Sequence, residues 1–525
     1  MPTSSDVARD AHRLFRAADL GSTLVGTLEG FGRVAREELE TVAIDVDRRS
    51  RPYLLRYDIE GREVDEVRLS GDHRRALDRL YASGVATGPV EGRHDWAFSF
   101  ALLHEVADVG LACSATVTMA TIFEFTKYAD PGLRERFGPP LLAGGGRAQG
   151  ATWATEAQGG SDLGANLTVA REGAGGRWAL TGEKYFCSNV GAGFALLTAR
   201  PEGAPEGTRG IRLFFAPAQR PDGRPNWRVR RLKEKLGTVS VPTGEVSLDG
   251  TEAYRLGPTE AGVLPVMEML NVSRVANAVG SAAVLHRAFE LARDHARRRF
   301  AFGRPIAGHP LLAADLATLA VEADAASLLA FDAVHLFDRV GNERPRYSAD
   351  YHRLRLATHA AKLVCAEAAV RGTELALEVV GGPGYLEEFP VAKLARDAHV
   401  TPIWEGGANL QALDAREAIE RYHPEASWRE EARRVAAEAE GVVSEFLTGR
   451  LAALEAPGGE ADAKAVLRAW AELRQGTLLA ERARRGPDRS ERAGAVVELF
   501  VLLREDRPGS GLPGRLVEAA LGRAP

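Results

Sequence analysis

The residues best placed to do chemistry lie in Thr-Pro-Ile-Trp-Glu-Gly-Gly-Ala-Asn-Leu, residues 401 to 410. Glu405 follows the indole of Trp404 and precedes Gly406 and Gly407. An aromatic neighbour strips water from a carboxylate, and paired glycines let backbone approach a ligand closely. Desolvation raises a carboxylate's pKa and makes it a usable proton acceptor near neutral pH. Taken alone, the string is also an ordinary helix-entry turn.

Two upstream strings add polar groups. Ala-Thr-Trp-Ala-Thr-Glu-Ala-Gln-Gly-Gly-Ser-Asp-Leu, residues 151 to 163, sets the hydroxyls of Thr155 and Ser161 around the Gly159-Gly160 turn. That suits donors aimed at a flat polar ligand edge, although Gly-Ser-Asp is also common turn chemistry. Thr-Gly-Glu-Lys-Tyr-Phe-Cys-Ser-Asn, residues 181 to 189, puts Phe186 and Ser188 two apart, hence on one face of a strand.

The elements that would carry these strings follow from pattern. Residues 1–55 read as a polar lead-in without strong periodicity. Residues 56–150 read as helical, as in Phe-Ala-Leu-Leu-His-Glu-Val from residue 100. Residues 151–256 turn to strands, with runs at 195, 210 and 244 separated by Gly, Pro and Asp clusters. Residues 257–424 return to long helices, with Val284, Ala288, Leu291 and His295 at helical steps. Residues 425–525 read as further helices, broken near 456–460 and 507–511. By composition the fold class is α+β.

In combination and order, the three strings resemble the acyl-CoA dehydrogenase family of flavoproteins. Arg-Arg-Phe-Ala-Phe-Gly-Arg at 298–304, Val-Val-Gly-Gly-Pro-Gly-Tyr at 379–385 and Phe-Pro-Val-Ala-Lys-Leu-Ala-Arg-Asp at 389–397 match as well. The resemblance covers roughly residues 50 to 422. It implies an N-terminal helical domain, a middle β-barrel or sandwich and a C-terminal helical bundle, here with a helical extension. Leu-Leu-Arg-Tyr-Asp near residue 54, the tryptophan before Glu405, Gly-His-Pro-Leu at 308–311 and the extension are similar to the AidB-like, alkylation-response branch.

By resemblance, Glu405 is the base that takes a proton from the carbon beside a thioester carbonyl, and FAD is the cofactor. The cofactor set carries over as Trp153, Ala154 and Thr155 along one flavin edge, with Phe186, Cys187 and Ser188 covering its other side. Ser161 falls where pantetheine or adenine passes. Arg299 matches the arginine that pairs with the FAD pyrophosphate. Phe302, Glu378, Gly381, Gly382, Gly407 and Asn409 complete the set. Asn271, Arg274, Trp404 and Gly406, with Ser161, fall at substrate positions. Asn271 stands where many members have Asp, which weakens the assumption of a CoA substrate. Pro310 and Glu378 replace glutamines that touch the adenosine half of FAD across subunits. The bulk of Trp404 points to a short or branched acyl group. The family's assembly implies a homotetramer.

The chain's 525 residues carry a net charge of −5, with 45% apolar and 26% charged residues, which fits a soluble globular protein of several domains. Three cysteines, odd in number and far apart, favour reduced thiols and a cytoplasmic setting without a metal site. No apolar signal core opens the chain, and no uninterrupted apolar run approaches about 18 residues. Basic and acidic residues balance closely over 425–525, so DNA is not an expected partner. Three activities stay open. They are dehydrogenation of an acyl thioester, on CoA or a carrier protein, with electron-transfer flavoprotein as acceptor, an AidB-like protective role with DNA affinity, and an oxygen-using oxidase or monooxygenase.

Overall fold

The structure, a computed structural model, describes residues 3–16, 20–146, 148–455, 459–485, 491–505 and 511–522. The lead-in expected to be irregular is helical, and this corrects the sequence reading. It forms α1 (Ser4–Arg16), α2 (Ser22–Val34) and α3 (Glu40–Arg48). Each buries only a few residues, with bulky Leu28 and Phe31 set among serines, alanines and a glycine, so no continuous apolar stripe stood out. Ser4 and Ser5 of α1 bond His104 Nδ1 at 2.6 Å and Glu105 Oε1 at 2.7 Å, which fastens the segment to the domain behind it.

A hairpin, β1 (Tyr53–Tyr57) and β2 (Glu63–Arg68), opens the region read as purely helical. Four helices follow: α4 (Gly71–Ala82), α5 (Trp96–His104), α6 (Val109–Tyr128) and α7 (Pro131–Leu142). By length and average composition α6 would pass for a membrane-crossing helix, but polar residues interrupt it and it is almost wholly buried within the protein. Asp108 caps it, accepting from Leu111 N at 2.6 Å and from Ser240 Oγ at 2.8 Å. That one carboxylate therefore starts the helix and ties it to the middle domain.

The middle domain contains β3 (Thr152–Trp153), β4 (Val169–Glu172), β5 (Arg177–Ser188), β6 (Phe194–Pro201), β7 (Arg212–Pro217), β8 (Arg228–Leu232) and β9 (Thr243–Leu256). Pairing runs β6-β4-β5-β9-β7 and closes by β6 against β7, so the sheet is a barrel with β3 and β8 at its margins. The pairs β3–β6 and β4–β6 are parallel and the others antiparallel. Alternate residues fill the inside, among them Trp153, Cys187, Phe214 and Val246. Gly150, at the barrel entrance, donates to Thr118 Oγ1 on α6 at 3.1 Å. A Cβ there would lie 2.3 Å from Thr121 Oγ1, so only glycine lets strand and helix meet this closely.

The C-terminal bundle is built on α8 (Leu264–Arg298), α9 (Pro310–Val340) and α10 (Ala349–Val380), with α11 (Pro390–Ala398) and α12 (Ala408–Tyr422) beside them. Between α8 and α9 sits a two-residue hairpin, β10 (Phe300–Ala301) and β11 (Arg304–Pro305). Alanine-rich faces bring the long helices close. At Gly372 of α10 a Cβ would come within 2.1 Å of Leu285 on α8.

The extension adds α13 (Glu425–Glu438), α14 (Gly441–Ala453), α15 (Ala463–Arg485), α16 (Glu491–Glu505) and α17 (Gly514–Ala520). The expected breaks near 456–460 and 507–511 fall mostly outside the described residues. Its arginines turn inward. Arg474 clamps Asp332 through two bonds of 2.8 and 2.7 Å, and Arg504 clamps Glu322 at 2.6 and 3.0 Å. Arg482 and Arg492 share Asp324 at 2.8 and 3.0 Å. Burial alone would raise the pKa of Asp324, but these two guanidiniums outweigh it and hold the carboxyl at about 2.

Candidate functional site

Glu405 sits on the loop between α11 and α12 with φ of +57°, a left-handed conformation that costs a residue with a Cβ about 1–2 kcal/mol. Buried donors hold it there. Arg274 Nε on α8 donates to the Glu405 carbonyl at 3.0 Å. Gln411 Nε2 donates to the carbonyls of Glu405 and Gly406 at 3.0 and 2.9 Å. Lys362 Nζ on α10 donates to Gly406 O at 2.7 Å and Pro402 O at 3.2 Å. Because the Gln411 amide nitrogen faces carbonyls, its oxygen accepts from His359 Nδ1 at 2.8 Å. Gly406 has φ of +89°, and a Cβ there would crowd Gln411 Nε2 at 3.0 Å. Gly407 then caps α12, with Asn409 exposed in its first turn.

With its carbonyl spoken for, the Glu405 side chain is left to the cleft. Burial pushes its pKa up, while Arg274 and then Lys362 pull it back down. Lys362 itself is pushed down to about 8 by burial. Among the described residues, the Glu405 N–H has no hydrogen-bond acceptor. One residue thus offers both a carboxylate and an N–H, the base and the carbonyl donor that deprotonation beside a carbonyl uses.

The cleft lies between α6 and α8 and opens to solvent at its mouth. Cys113, Thr116 and Val117 form one wall, Ala276, Asn277 and Gly280 the other, and Trp404 and Glu405 close an end. Trp404 Nε1 donates to Asn277 Oδ1, and Asn277 Nδ2 donates to Thr401 O at 3.2 Å, so the indole is pinned against the wall. Burial pushes the Cys113 thiol up to about 12, which makes it an apolar lining group and not a nucleophile.

The second group of expected residues meets on the barrel. Tyr185 N donates to Thr155 O at 3.0 Å, which lays the Thr155 turn beside the strand bearing Phe186 and Ser188. Phe186 is 54% exposed, and Lys233 Nζ stands 3.3 Å from the neighbouring Tyr185 ring centre. Gly160 is required, since a Cβ would fall 2.4 Å from Thr155 Oγ1. Ser161 is exposed on the same turn. Glu156 anchors the turn from beneath, accepting from Lys184 Nζ at 2.8 Å and Thr168 Oγ1 at 2.6 Å. Burial would raise its pKa, yet Lys184 and these bonds leave it at about 2.

Three expectations are corrected by this geometry. The Trp153 side chain lies inside the barrel against Trp227, with Nε1 donating to Ser188 O at 3.0 Å, so it offers the surface only backbone. Cys187 also points inward, because strand alternation puts it opposite Phe186 and Ser188. Asn271 is buried and takes Arg274 Nη1 at 3.3 Å, so it positions that arginine and does not reach into the cleft. Ala154, with Thr155 and half-buried, stays at the barrel edge as expected. Lys362, Gln411, Asn277 and Glu156 were not singled out from sequence. A lysine, glutamine or asparagine in a helical pattern reads as an exposed polar residue.

A third group sits at the far end of α8. Arg299 Nη1 donates to Val380 O at 3.3 Å, beside Gly381 with φ of +74°. Among the described residues Arg299 makes no ion pair with a carboxylate. Gly382 and Glu378 are exposed alongside, and Phe302 and Tyr385 are 95% and 91% exposed. From Arg274 to Arg299 the helix climbs roughly 37 Å at about 1.5 Å per residue, more than an extended FAD spans. Within one chain, Arg299 and the Glu405 loop are thus widely separated along α8.

The residues present fit a flavin dinucleotide. A half-exposed aromatic with hydroxyls at its edge suits a flat polar ring. A guanidinium without a carboxylate partner, beside left-handed glycine backbone, suits a pyrophosphate. Residues 151–251 match the family described as acyl-CoA dehydrogenase, middle domain, and residues 260–420 match acyl-CoA dehydrogenase, C-terminal domain. AidB of Escherichia coli (strain K12) is 33% identical over 380 residues, 69% of this chain and 68% of that protein. Acyl-CoA dehydrogenase family member 11 of Caenorhabditis elegans is 38% identical over 270 residues, 50% of this chain but only 43% of that protein. The solved structure of Caenorhabditis elegans ACDH-11 in complex with C11-CoA superimposes with a TM-score of 0.84 at 26% identity, covering 98% of this chain and 93% of that one.

The architecture and site define an FAD-dependent oxidoreductase that acts on acyl-CoA. The chain belongs to the acyl-CoA dehydrogenase family, in its AidB-like branch.

Proposed function

We propose that this enzyme introduces an α,β double bond into an acyl-CoA, with Glu405 as the base. The single observation that carries this reading is the Glu405 loop. Its carbonyl is fixed by Arg274 and Gln411 while its carboxylate and N–H remain available to one ligand. The N–H polarises the thioester carbonyl, which acidifies the α-carbon, and the Glu405 carboxylate takes the proton. Bound FAD supplies the acceptor for the hydride leaving the β-carbon. Trp404, pinned by Asn277, keeps water from the reacting carbons. The dry cleft also strengthens the hydrogen bond to the developing negative charge. The complex of Caenorhabditis elegans ACDH-11 with C11-CoA supports acyl-CoA as the substrate class.

Phe186, Ser188, Ala154 and Thr155 hold the flavin ring, with Ser161 and Asn409 at its margins. Arg299, Gly381, Gly382, Phe302 and Glu378 serve the dinucleotide of a neighbouring copy, given their distance along α8 from Arg274. Such sharing needs at least a pair of copies, and the family resemblance extends the pair to a homotetramer. Exposed Phe300, Phe302 and Tyr385 support an assembly through this end. Electron-transfer flavoprotein or oxygen accepts the electrons, and oxygen uptake during turnover separates the two.

The test is direct. Purified protein carries one FAD per subunit, and an anaerobic panel of acyl-CoAs bleaches its absorbance. A colourless protein that takes up no FAD, or a yellow one bleached by none of the panel, overturns the reading.

A further inference from the structure

From Asn271 to His286 every residue of α8 is buried except Gly280. A Cβ added at Gly280 meets no heavy atom within 4 Å, whereas at Gly372 on the facing helix it would strike Leu285 at 2.1 Å. Packing therefore demands glycine at 372 but not at 280. Nor does the backbone demand it, since Gly280 is not among the residues of positive φ. A glycine inside a helix is less favourable than alanine, so some other gain must offset that cost. What its missing side chain leaves is space, and that space is the cleft above Cys113 and Val117.

The end beside Glu405 cannot supply more room. The Trp404 indole is held by Asn277, which is itself held by Thr401 O at 3.2 Å. Away from that end the cleft is lined along α8 by Ala276, Asn277, Gly280 and Ser281, and Gly280 stands roughly 9 Å beyond Arg274. We propose that Gly280 is a specificity-determining residue. It keeps a slot between α6 and α8 through which the far carbons of an unbranched acyl chain extend, and any side chain there shortens the chain accepted. This rests on the reading that the cleft takes the acyl group of an acyl-CoA, and it reverses the short or branched preference suggested by the bulk of Trp404.

Calorimetric titration of FAD-loaded protein with saturated straight-chain acyl-CoAs of four to twelve carbons tests it. A Glu405→Gln background keeps the ligand from being consumed. With Gly280 intact, each added methylene tightens binding about fourfold until the slot is full. Gly280→Leu leaves the four-carbon ligand within about twofold of its original Kd and flattens the series beyond it. Gly280→Ala, which favours the helix, gives an intermediate series with undiminished FAD content and melting temperature. Parallel series with and without the substitution overturn the proposal, and so does equal weakening at every chain length with FAD retained. Failure of every acyl-CoA to bind the Gly280 protein overturns instead the functional reading beneath it.

Discussion

Arg274 donates its Nε hydrogen to the carbonyl oxygen of Glu405 at 3.0 Å, so the buried cation grips the backbone of the candidate base and not its carboxylate. Its second arm reaches Asn271 and Asp414 at 3.3 and 3.4 Å. The positive charge is thus near enough to moderate the pKa of Glu405 without quenching it as a base. A direct ion pair would have lowered the carboxylate's affinity for a proton and weakened the chemistry.

Glu405→Gln keeps the shape of the loop and its three donors, since none of them touches the carboxylate. FAD content and melting temperature stay unchanged, while the rate of flavin bleaching by acyl-CoA falls by about two to four orders of magnitude. Bleaching at close to the original rate in stopped-flow measurements would place the base elsewhere.

Lys362→Met removes one of the two cations that hold the pKa of Glu405 down. Burial already raises that pKa, and the base works only when deprotonated, so activity appears as pH rises through it. With Lys362 gone the raised pKa climbs further, and the acidic limb of kcat/KM against pH moves to higher pH. A limb that stays in place, or moves to lower pH, contradicts the assignment.

Arg474→Ala strands Asp332 beneath α15 without its two bonds. Breaking a buried pair from one side costs about 3–5 kcal/mol. The protein should lose thermal stability measurably, and Arg474→Met with Asp332→Leu should recover much of the loss. An unchanged melting temperature in the single variant would mean that the pair is not buried in solution.

Duplex DNA binds weakly at about 0.15 M salt, no tighter than the non-specific range of roughly 10⁻⁴ to 10⁻⁶ M. Arg482 and Arg492 are engaged with Asp324, Arg484 with Glu438, and Arg485 with Glu481 at 2.9 Å. Arg489 lies outside the described residues. Tight binding that is steeply salt-dependent and vanishes when the extension is deleted would overturn this expectation.

Much of the site was legible because its backbone is unusual. Gly406 and Gly407 after an aromatic mark a loop where backbone can approach a ligand, and the Thr155–Gly160 turn carries its glycines in the string itself, so local sequence records both. It does not record the left-handed φ of Glu405. The two barrel errors came from treating three consecutive residues as one surface. The period of a strand forbids Phe186, Cys187 and Ser188 from sharing a face. Lys362 could not be read because its role is tertiary, and Gln411 because its bonds back to the loop depend on how the chain enters α12. Their partners are carbonyls about 44 and 5 residues away, and nothing in a helical string shows which lysine points inward. The lead-in to residue 55 failed for a related reason. Its helices scatter bulky buried residues such as Leu28 and Phe31 among Ala8, Ala11 and Ala43, too uneven a pattern to stand out as a stripe.

The inward arginines of the extension also bear on how this chain can change over generations. Asp324 and Asp332 lie in the middle of α9, and their counter-charges come from residues beyond 470. A stop codon near residue 424 would leave both acids without partners inside a helix of the central bundle. A shorter descendant would first need two apolar replacements in α9, each unfavourable while the arginines remain. The extension is in that sense a structural part of the bundle, and a single truncation carries the cost of two stranded buried acids.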